Sequence, residues 1–152
     1  IATLPGARLF HDGQLEGRKV RLPVQLGRKP DEAPDPSLRD FYGTLLRALR
    51  DAELRGSAWA PCEVGGWPDN QSCGNLVSWR WDRADRRHLV VVNLSGVASQ
   101  GRVRMPGLTL AGRTWRLTDL MSGDLFERDG DEMTGPGLYV DLAPWGYHFL
   151  EF

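Results

Sequence analysis

Residues 76–94 read LVSWRWDRADRRHLVVVNL, two apolar runs on either side of a polar turn. In the first run Val77, Trp79 and Trp81 alternate with other residues, so they share one face of a strand. The second run, residues 88–94, is almost continuously apolar and β-branched, which is typical of a strand buried on both faces. The stretch therefore predicts an antiparallel hairpin with strands at 76–81 and 88–94.

Short apolar segments continue after this hairpin and are separated by Gly, Pro, Asp and Ser. Their spacing is close to that of an antiparallel sandwich. Residues 129–132 read DGDE and resemble a fragment of a calcium loop, but the other ligands of an EF-hand are missing, so we predict an acidic hairpin turn and no metal site. The predicted strands lie at 101–105, 114–120, 125–128, 138–142 and 147–152.

One long helix is predicted before the strands, over residues 36–53. Asp35 suits the N-cap, and Pro36 suits the first helical position, where its missing N–H is not needed. Gly56 lies just past the expected end. Apolar residues recur at helical spacing and form one stripe, which comprises Leu38, Phe41, Tyr42, Leu45, Leu46 and Leu49.

The sequence before the helix is of a different kind. Residues 1–9 predict a short buried strand broken by Pro5 and Gly6, and residues 11–34 are polar, basic and Pro-rich without a sustained period. A loop of that length is usually functional or packed against another part of a protein. The chain starts on an apolar run without an initiator methionine, as we expect of a piece of a longer polypeptide.

The composition excludes several classes of partner. The chain has 152 residues, of which 41% are hydrophobic and 26% charged, with a net charge of −1. The two signs are interspersed, so there is no basic patch typical of proteins that bind nucleic acid or anionic membranes. No apolar run approaches the roughly 20 residues of a membrane span. We therefore expect no nucleic-acid partner and no membrane partner.

Cys62 and Cys73 are the only cysteines, and they flank a turn-rich stretch that could bring them together. A disulfide there would contribute on the order of 3 kcal/mol by loop entropy. The alternative is a pair of reduced, half-buried thiols in a cytoplasmic protein. No His stands at metal-ligand spacing from either cysteine, so no zinc site is predicted.

The usual catalytic motifs are missing from the sequence. It has no Gly-x-Ser-x-Gly elbow and no phosphate-binding glycine loop, and we predict no cofactor. His88 and His148 lie within predicted strands, where hydrogen-bonded structural histidines are expected.

Six tryptophans are many for this length. Trp79, Trp81 and Trp115 are predicted to be core residues. Trp67 and Trp145 lie beside Pro or Gly in turns, where an exposed indole could stack on a sugar, although packing is the alternative.

The order of several segments resembles the alpha-amylase superfamily, glycoside hydrolase family 13. Residues 3–10, TLPGARLF, and 13–16, GQLE, resemble the last barrel strand of that family and the loop after it. The other matching segments are Phe41 and Tyr42 within a leucine-bearing helix, 90–94 (VVVNL), 119–123 (DLMSG) and 143–146 (APWG).

The resemblance implies a division of the chain into two parts. Residues 1–55 would be the last strand, loop and helix of a (β/α)8 barrel, and residues 56–152 a C-terminal antiparallel β-sandwich. The expected fold class is therefore mainly β, with one long helix and a remnant barrel strand before the sandwich.

Retaining enzymes of the family carry their catalytic Asp, Glu and Asp on earlier barrel strands, which this chain lacks. The resemblance therefore implies no catalytic residue here and no enzyme activity for this chain alone. The loop after the final strand could border the active-site rim of a complete protein, and its candidate residues are His11, Asp12, Gln14 and Glu16. The basic segment 17–28, with Arg18, Lys19, Arg21 and Arg28, departs from the usual pattern and could be a substrate loop of a subfamily.

Two functions follow as expectations. In the first, this is the non-catalytic C-terminal domain of an alpha-amylase-family glycoside hydrolase or transglycosylase acting on α-glucans. It would pack against and stabilise the N-terminal catalytic barrel of the same polypeptide, its expected partner. In the alternative, the domain is a carbohydrate-binding module that contacts α-glucan through Trp67 and Trp145.

Overall fold

A computed structural model of the chain describes residues 1–20, 25, 28 and 30–152. The chain forms two compact units, Ile1–Asp51 and Ala52–Phe152. In the first unit, the only regular element among the described residues is helix α1, Pro36–Asp51. Part of the basic loop predicted from the sequence, Arg21 included, lies outside the described residues.

Helix α1 begins where the sequence predicts. The Asp35 carboxylate Oδ1 accepts the backbone N–H of Ser37 at 3.0 Å and of Leu38 at 3.2 Å, so the predicted N-cap is confirmed. The helix ends at Asp51, before the predicted end at Glu53. Glu53 has a φ of +46°, in the left-handed region, and this backbone conformation cannot continue a right-handed helix.

The predicted strand over residues 1–9 is absent from the structure. The backbone turns instead, with the N–H of Leu4 donating to the carbonyl of Ile1 at 3.0 Å and Gly6 at a φ of +105°. Ile1 and Leu9 are exposed rather than buried. A strand needs a neighbour for its backbone N–H and C=O groups, and none of the described strands pairs with this segment.

The second unit is an antiparallel β structure whose strands follow the order β6-β5-β8-β3-β2-β1-β4-β7. A short 3-10 helix, Ser72–Asn75, precedes the central hairpin. The strands are β1 Ala58–Gly65, β2 Leu76–Asp82, β3 Arg87–Asn93, β4 Ser99–Arg104, β5 Thr114–Asp119, β6 Leu125–Asp129, β7 Leu138–Leu142 and β8 Tyr147–Glu151.

Strand β1 joins the two halves of this structure. Its first part, Ala58–Cys62, pairs with β2, and its second part, Glu63–Gly65, pairs with β4. This strand, which contains Pro61, is not predicted from the sequence. Proline cannot donate to a ladder, but Pro61 lies in the part of β1 that pairs on one side only, opposite Trp79.

Strand β3 lies at the centre, between β2 and β8, and its residues 88–91 are buried, as predicted. Leu89 and Val91 face the main core, whereas the rung Trp79–Val90–Phe149 is buried on the opposite face. The buried members of the main core are Leu76, Leu89, Val91, Val103, Met105, Leu110, Trp115, Leu117, Met133, Leu138, Val140, Leu142 and Leu150.

The three tryptophans predicted to lie inside are buried. Trp79, Trp81 and Trp115 are each less than a tenth exposed. Trp115 also donates its indole N–H to the carbonyl of Leu110 at 2.8 Å, so its one polar atom is satisfied inside the core. The prediction of core roles for these residues is confirmed.

The predicted acidic hairpin turn at 129–132 is a short helix, α2, Gly130–Thr134. The Asp129 carboxylate caps it by accepting the backbone N–H of Asp131 at 2.7 Å and of Glu132 at 3.4 Å. The backbone of Gly130 approaches so closely that a Cβ there would lie 1.9 Å from the carbonyl oxygen of Leu110. The prediction of a hairpin turn is therefore wrong, because the segment forms a capped helical turn that packs on the loop between β4 and β5.

Two glycines on neighbouring strands test how tightly the core of the second unit is packed. A Cβ at Gly101 would lie 2.6 Å from Val64 Cγ1 and 3.2 Å from Leu76 Cδ1, whereas a Cβ at Gly65 would meet open space. We expect Gly101→Ala to lower the free energy of unfolding by about 1–3 kcal/mol. Gly65→Ala should stay within about 0.5 kcal/mol of wild type or raise stability slightly. Urea unfolding of both variants measures this, and equal midpoints would contradict the packing described.

Candidate functional site

The four candidate rim residues lie on one pair of turns, residues 11–17, in the first unit. The Gln14 side chain holds this segment, because its Oε1 accepts the backbone N–H of His11 at 3.3 Å and its Nε2 donates to the Tyr42 hydroxyl at 3.0 Å. The carbonyl of Glu16 accepts the N–H of Asp35 at 2.9 Å. The turns are therefore tied to helix α1 at two points.

The rim residues differ in exposure and in what their polar atoms do. His11 and Asp12 are exposed, and His11 Nδ1 lies 3.0 Å from the Asp12 carbonyl oxygen. Gln14 and Glu16 are half-buried. Side chains on turns are held less precisely than those on strands or helices. This arrangement supports contact with a ligand better than it supports bond cleavage.

In the second unit, a pair formed by the buried Asp119 and the half-buried His148 links β5 and β8. His148 Nδ1 lies 2.6 Å from Asp119 Oδ2, and Asp119 Oδ1 accepts the N–H of Met121 at 2.9 Å and of Phe149 at 3.4 Å. Burial raises the pKa of Asp119, but the hydrogen bonds from His148 and these backbone groups outweigh it, so the pKa lies below its ordinary value. The ring of Phe126 packs edge-on against His148 at 5.6 Å.

His88 is held in a similar way on β3. Its Nε2 lies 3.0 Å from Glu151 Oε2, and burial lowers the pKa of the imidazole despite this carboxylate. Both strand histidines are therefore hydrogen-bonded between strands, as predicted from their positions. The hydrogen bonds of the Asp119–His148 pair and of the His88–Glu151 pair involve carboxylate, imidazole and backbone groups. A catalytic triad would require a hydroxyl or thiol nucleophile bonded to the imidazole.

The Trp67 indole is packed against other side chains. Its ring contacts Tyr139 edge-on with centroids 6.1 Å apart, and the Arg102 guanidinium carbon lies 5.9 Å from its centroid. Arg102 in turn donates to Glu132 Oε1 at 2.8 Å and to the Gly137 carbonyl at 3.1 Å. These contacts favour the packing alternative for Trp67.

Trp145 is in a different situation. It lies in the turn between β7 and β8, it is 65% exposed, and its φ is +58°. A bulky residue rarely adopts the left-handed region, which glycine enters without strain. Of the two tryptophans proposed from the sequence, only Trp145 therefore presents a largely open indole.

Asn93 is a residue whose role the sequence did not reveal. It is fully buried at the end of β3, and its Nδ2 donates to the carbonyls of Val97 at 2.7 Å and Ala143 at 2.9 Å. Its Oδ1 accepts the N–H and the hydroxyl of Ser95 at 3.1 and 2.8 Å. The sequence feature that could have indicated this role is the position of Asn93 at the end of an apolar strand. A side-chain amide that is buried there needs hydrogen-bond partners.

One cavity of the second unit has a volume of about 570 Å³. Its wall includes Cys62, Glu63, Arg104, Met105 and Leu108. Burial raises the pKa of Cys62 to about 11, so its thiol stays protonated near neutral pH and is a poor nucleophile. Cys62 and Cys73 are both free and half-buried, so the reduced alternative is the one observed.

The described residues contain no group of three or more His, Cys, Asp or Glu side chains that could hold a metal ion. Within the same part of the chain, no helix is long and apolar enough to cross a membrane.

No family model and no curated protein matches the chain. Several solved structures are similar to the chain in fold. A noncanonic maltogenic alpha-amylase from Thermotoga neapolitana matches 99% of this chain with a TM-score of 0.77 and 14% identity. A trehalose-6-phosphate hydrolase from Bacillus licheniformis matches 77% of this chain with a TM-score of 0.50 and 15% identity. The matches cover 34% and 19% of those two chains.

The observed fold is mainly β, with antiparallel strands and one helix of 16 residues, and it is consistent with the C-terminal β domain of amylases. The fold class predicted from the sequence is therefore confirmed, apart from the strand over residues 1–9. The resemblance to the alpha-amylase superfamily is likewise confirmed as a likeness of fold to the maltogenic alpha-amylase. At 14% identity this likeness establishes the fold and not the activity.

The Asp119–His148 pair predicts a specific dependence of stability on pH. Because the folded-state pKa of Asp119 lies below its ordinary 3.8, the stabilisation is present above that value and is lost as pH falls through the folded pKa. We expect Asp119→Asn to lower the free energy of unfolding by about 2 kcal/mol near neutral pH. The difference from wild type should shrink as the pH falls below 3.8 and through the lower folded-state pKa of Asp119.

Urea unfolding at about pH 7, 4 and 2.5 measures this difference. Asp124→Asn is the matched control, since Asp124 is an exposed carboxylate of the same turn. A difference between wild type and Asp119→Asn that does not change with pH would show that the pair acts through shape alone.

Proposed function

We propose that this chain is the C-terminal segment of an alpha-amylase-family glycoside hydrolase or transglycosylase that acts on α-glucans. In this proposal the β unit is non-catalytic and packs against the catalytic barrel of the same polypeptide, which it stabilises. The observation that carries the proposal is the likeness to the maltogenic alpha-amylase, which extends over 99% of this chain but only 34% of that one.

Helix α1 supports the assignment of the first unit to a barrel. Its first half contacts the preceding loop, with Phe10 and Tyr42 rings 6.1 Å apart and edge-on. Its apolar stripe continues along the helix to Leu45 and Leu49, which are half-buried, and Leu46 is exposed. In a (β/α)8 barrel, each helix lays such a stripe on the strands of the barrel. The stripe therefore suits a helix whose main partner is a barrel.

The chemistry of the β unit supports a non-catalytic role. The two strand histidines bond to Asp119 and Glu151 between strands, and the Cys62 thiol is kept neutral by burial. These groups contribute to the packing of the fold. In the proposal, the three catalytic carboxylates of the family lie on the barrel, and the turns at 11–17 border its active-site rim through His11, Asp12, Gln14 and Glu16.

The free thiols support a reducing compartment, and we place the protein in the cytoplasm. Alkylation of both Cys62 and Cys73 is the expected result in a cell lysate that is unfolded in denaturant without added reductant, because unfolding removes the burial that keeps the Cys62 thiol unreactive. Protection of both thiols until a reductant is added would contradict this location.

The purified 152-residue chain should release no saccharide from maltoheptaose, because the catalytic trio would be supplied by the barrel. Asp12→Asn and Glu16→Gln should leave the background rate unchanged. Chromatography of the products measures this. Release of saccharide by the wild-type chain that either substitution abolishes would assign the catalytic role to this segment and overturn the proposal.

A second test concerns the barrel contact directly. In the full-length polypeptide, Leu45→Asp should lower the melting temperature by several degrees, because a charge would enter an apolar helix–barrel contact. In the 152-residue chain the same substitution should have a clearly smaller effect. Arg39→Asp, at an exposed position in the first turn of the same helix, where an acidic side chain is well tolerated, is the control and should lower the melting temperature of neither protein. Equal effects of Leu45→Asp in both backgrounds would contradict packing of this helix on a barrel.

A further inference from the structure

Three exposed apolar side chains lie on two turns of the β unit. Leu94, Val97 and Trp145 are 58%, 59% and 65% exposed. The first two belong to the turn between β3 and β4, and Trp145 belongs to the turn between β7 and β8. We refer to these three residues as the Trp145 platform.

The backbones of the two turns are joined into one unit. The N–H of Trp145 donates to the Ser95 carbonyl at 2.9 Å, and the N–H of Asn93 donates to the Gly146 carbonyl at 2.9 Å. The buried Asn93 amide bridges the turns further through the carbonyls of Val97 and Ala143. A site built on such a fixed frame loses little conformational entropy when it binds.

The identity of residue 145 is not explained by stability. Its φ of +58° is one that glycine or asparagine tolerates and that strains a tryptophan. Burial of the ring does not compensate, because most of the indole remains exposed. Strained residues of this kind are held by the surrounding structure and are concentrated at ligand sites. The strained backbone and the exposed side chain of Trp145 therefore indicate that the indole ring serves a purpose other than packing.

The indole also offers a polar group. A Cβ at Gly96 would lie 3.8 Å from Trp145 Nε1, so this edge of the ring lies over a position without a side chain. Within the described residues, the Nε1–H has no hydrogen-bond acceptor. An open aromatic face beside an available donor matches a pyranose, whose C–H face is apolar and whose hydroxyls accept hydrogen bonds.

The size of the platform favours a small ligand over a protein partner. A stable protein interface buries about 800 Å² on each partner, typically from 20–30 residues. Here the exposed apolar surface comes from three side chains on two short turns. A single sugar ring requires no more than one indole face and its apolar margin.

We propose that the Trp145 platform binds a glucosyl ring of an α-glucan, with the ring stacked on the indole and a hydroxyl accepting from Nε1. The choice of α-glucan rests on the proposed function, whereas the site itself rests on the geometry above. Trp67 has no part in this site, because Tyr139 and Arg102 engage its ring.

The test follows the indole N–H signals of the ¹⁵N-labelled 152-residue chain by NMR while maltoheptaose is added to several millimolar. The chain has six tryptophans, and the Trp145→Phe spectrum identifies the signal of residue 145 by its loss. We expect that signal to shift saturably and the Trp67 signal to stay in place. Cellobiose, with β-linked glucose, is the comparison ligand and should shift the signal less.

Variants then measure affinity by calorimetry. Trp145→Ala should weaken maltoheptaose binding by about tenfold or more, and Trp145→Phe should retain part of it, because an aromatic face remains. Trp59→Phe, at another partly exposed tryptophan, is the control and should bind as wild type does. The wild-type titration stands even if a variant at residue 145 folds poorly.

A Trp145 signal that does not move, or a saturable shift of Trp67 in its place, would overturn the proposal. The outcome is separable from that of the proposed function. Sugar binding here together with equal effects of Leu45→Asp in both backgrounds would retain the platform and remove the barrel contact. If the Trp145 signal does not move and Leu45→Asp lowers the melting temperature of the full-length polypeptide alone, the barrel contact is retained and the platform is removed.

Discussion

The structure of the β unit depends on the burial of strand β3 between β2 and β8. Both edges of this strand are hydrogen-bonded and most of its side chains are buried, so its backbone polar groups are satisfied within the sheet. The polar side chains near its two ends are then confined away from water and need partners of their own. His88 meets Glu151, and Asn93 meets the carbonyls of Val97 and Ala143. The hydrogen bonds of Asn93 hold together the two turns of the Trp145 platform.

The same requirement applies to other polar groups of the unit. Polar groups that are removed from water are costly unless they are hydrogen-bonded, and the buried Asp119 and the partly buried His148 and Arg102 each bond to groups on another element or turn. Their chemistry is therefore directed into the fold. Exposed side chains are found on turns, in the Trp145 platform of the β unit and at His11 and Asp12 of the first unit.

Strain and packing separate the two tryptophans that the sequence placed in turns. Trp67 gains contacts from Tyr139 and Arg102, and these contacts are sufficient reason for an aromatic residue at that position. Trp145 is strained and still mostly exposed, so the fold by itself gives no reason to retain it. The two positions look alike in sequence, since each tryptophan stands between a glycine and a proline. Only the contacts made by distant residues distinguish them.

Local pattern was enough to predict the β2–β3 hairpin, the capped start of α1, strand β7 and the buried Trp79, Trp81 and Trp115, because periodicity, caps and turns act between near neighbours. The likeness to an amylase was also readable, through the order of short segments. The tertiary structure alone decided that β1 forms despite Pro61, that residues 1–9 form no strand, and that His148 bonds to Asp119 and Asn93 to the 143–146 turn. Each of these depends on a partner far away in sequence. A strand, a buried amide or a strained turn is stable only when that partner is present, and a single stretch of sequence does not contain it.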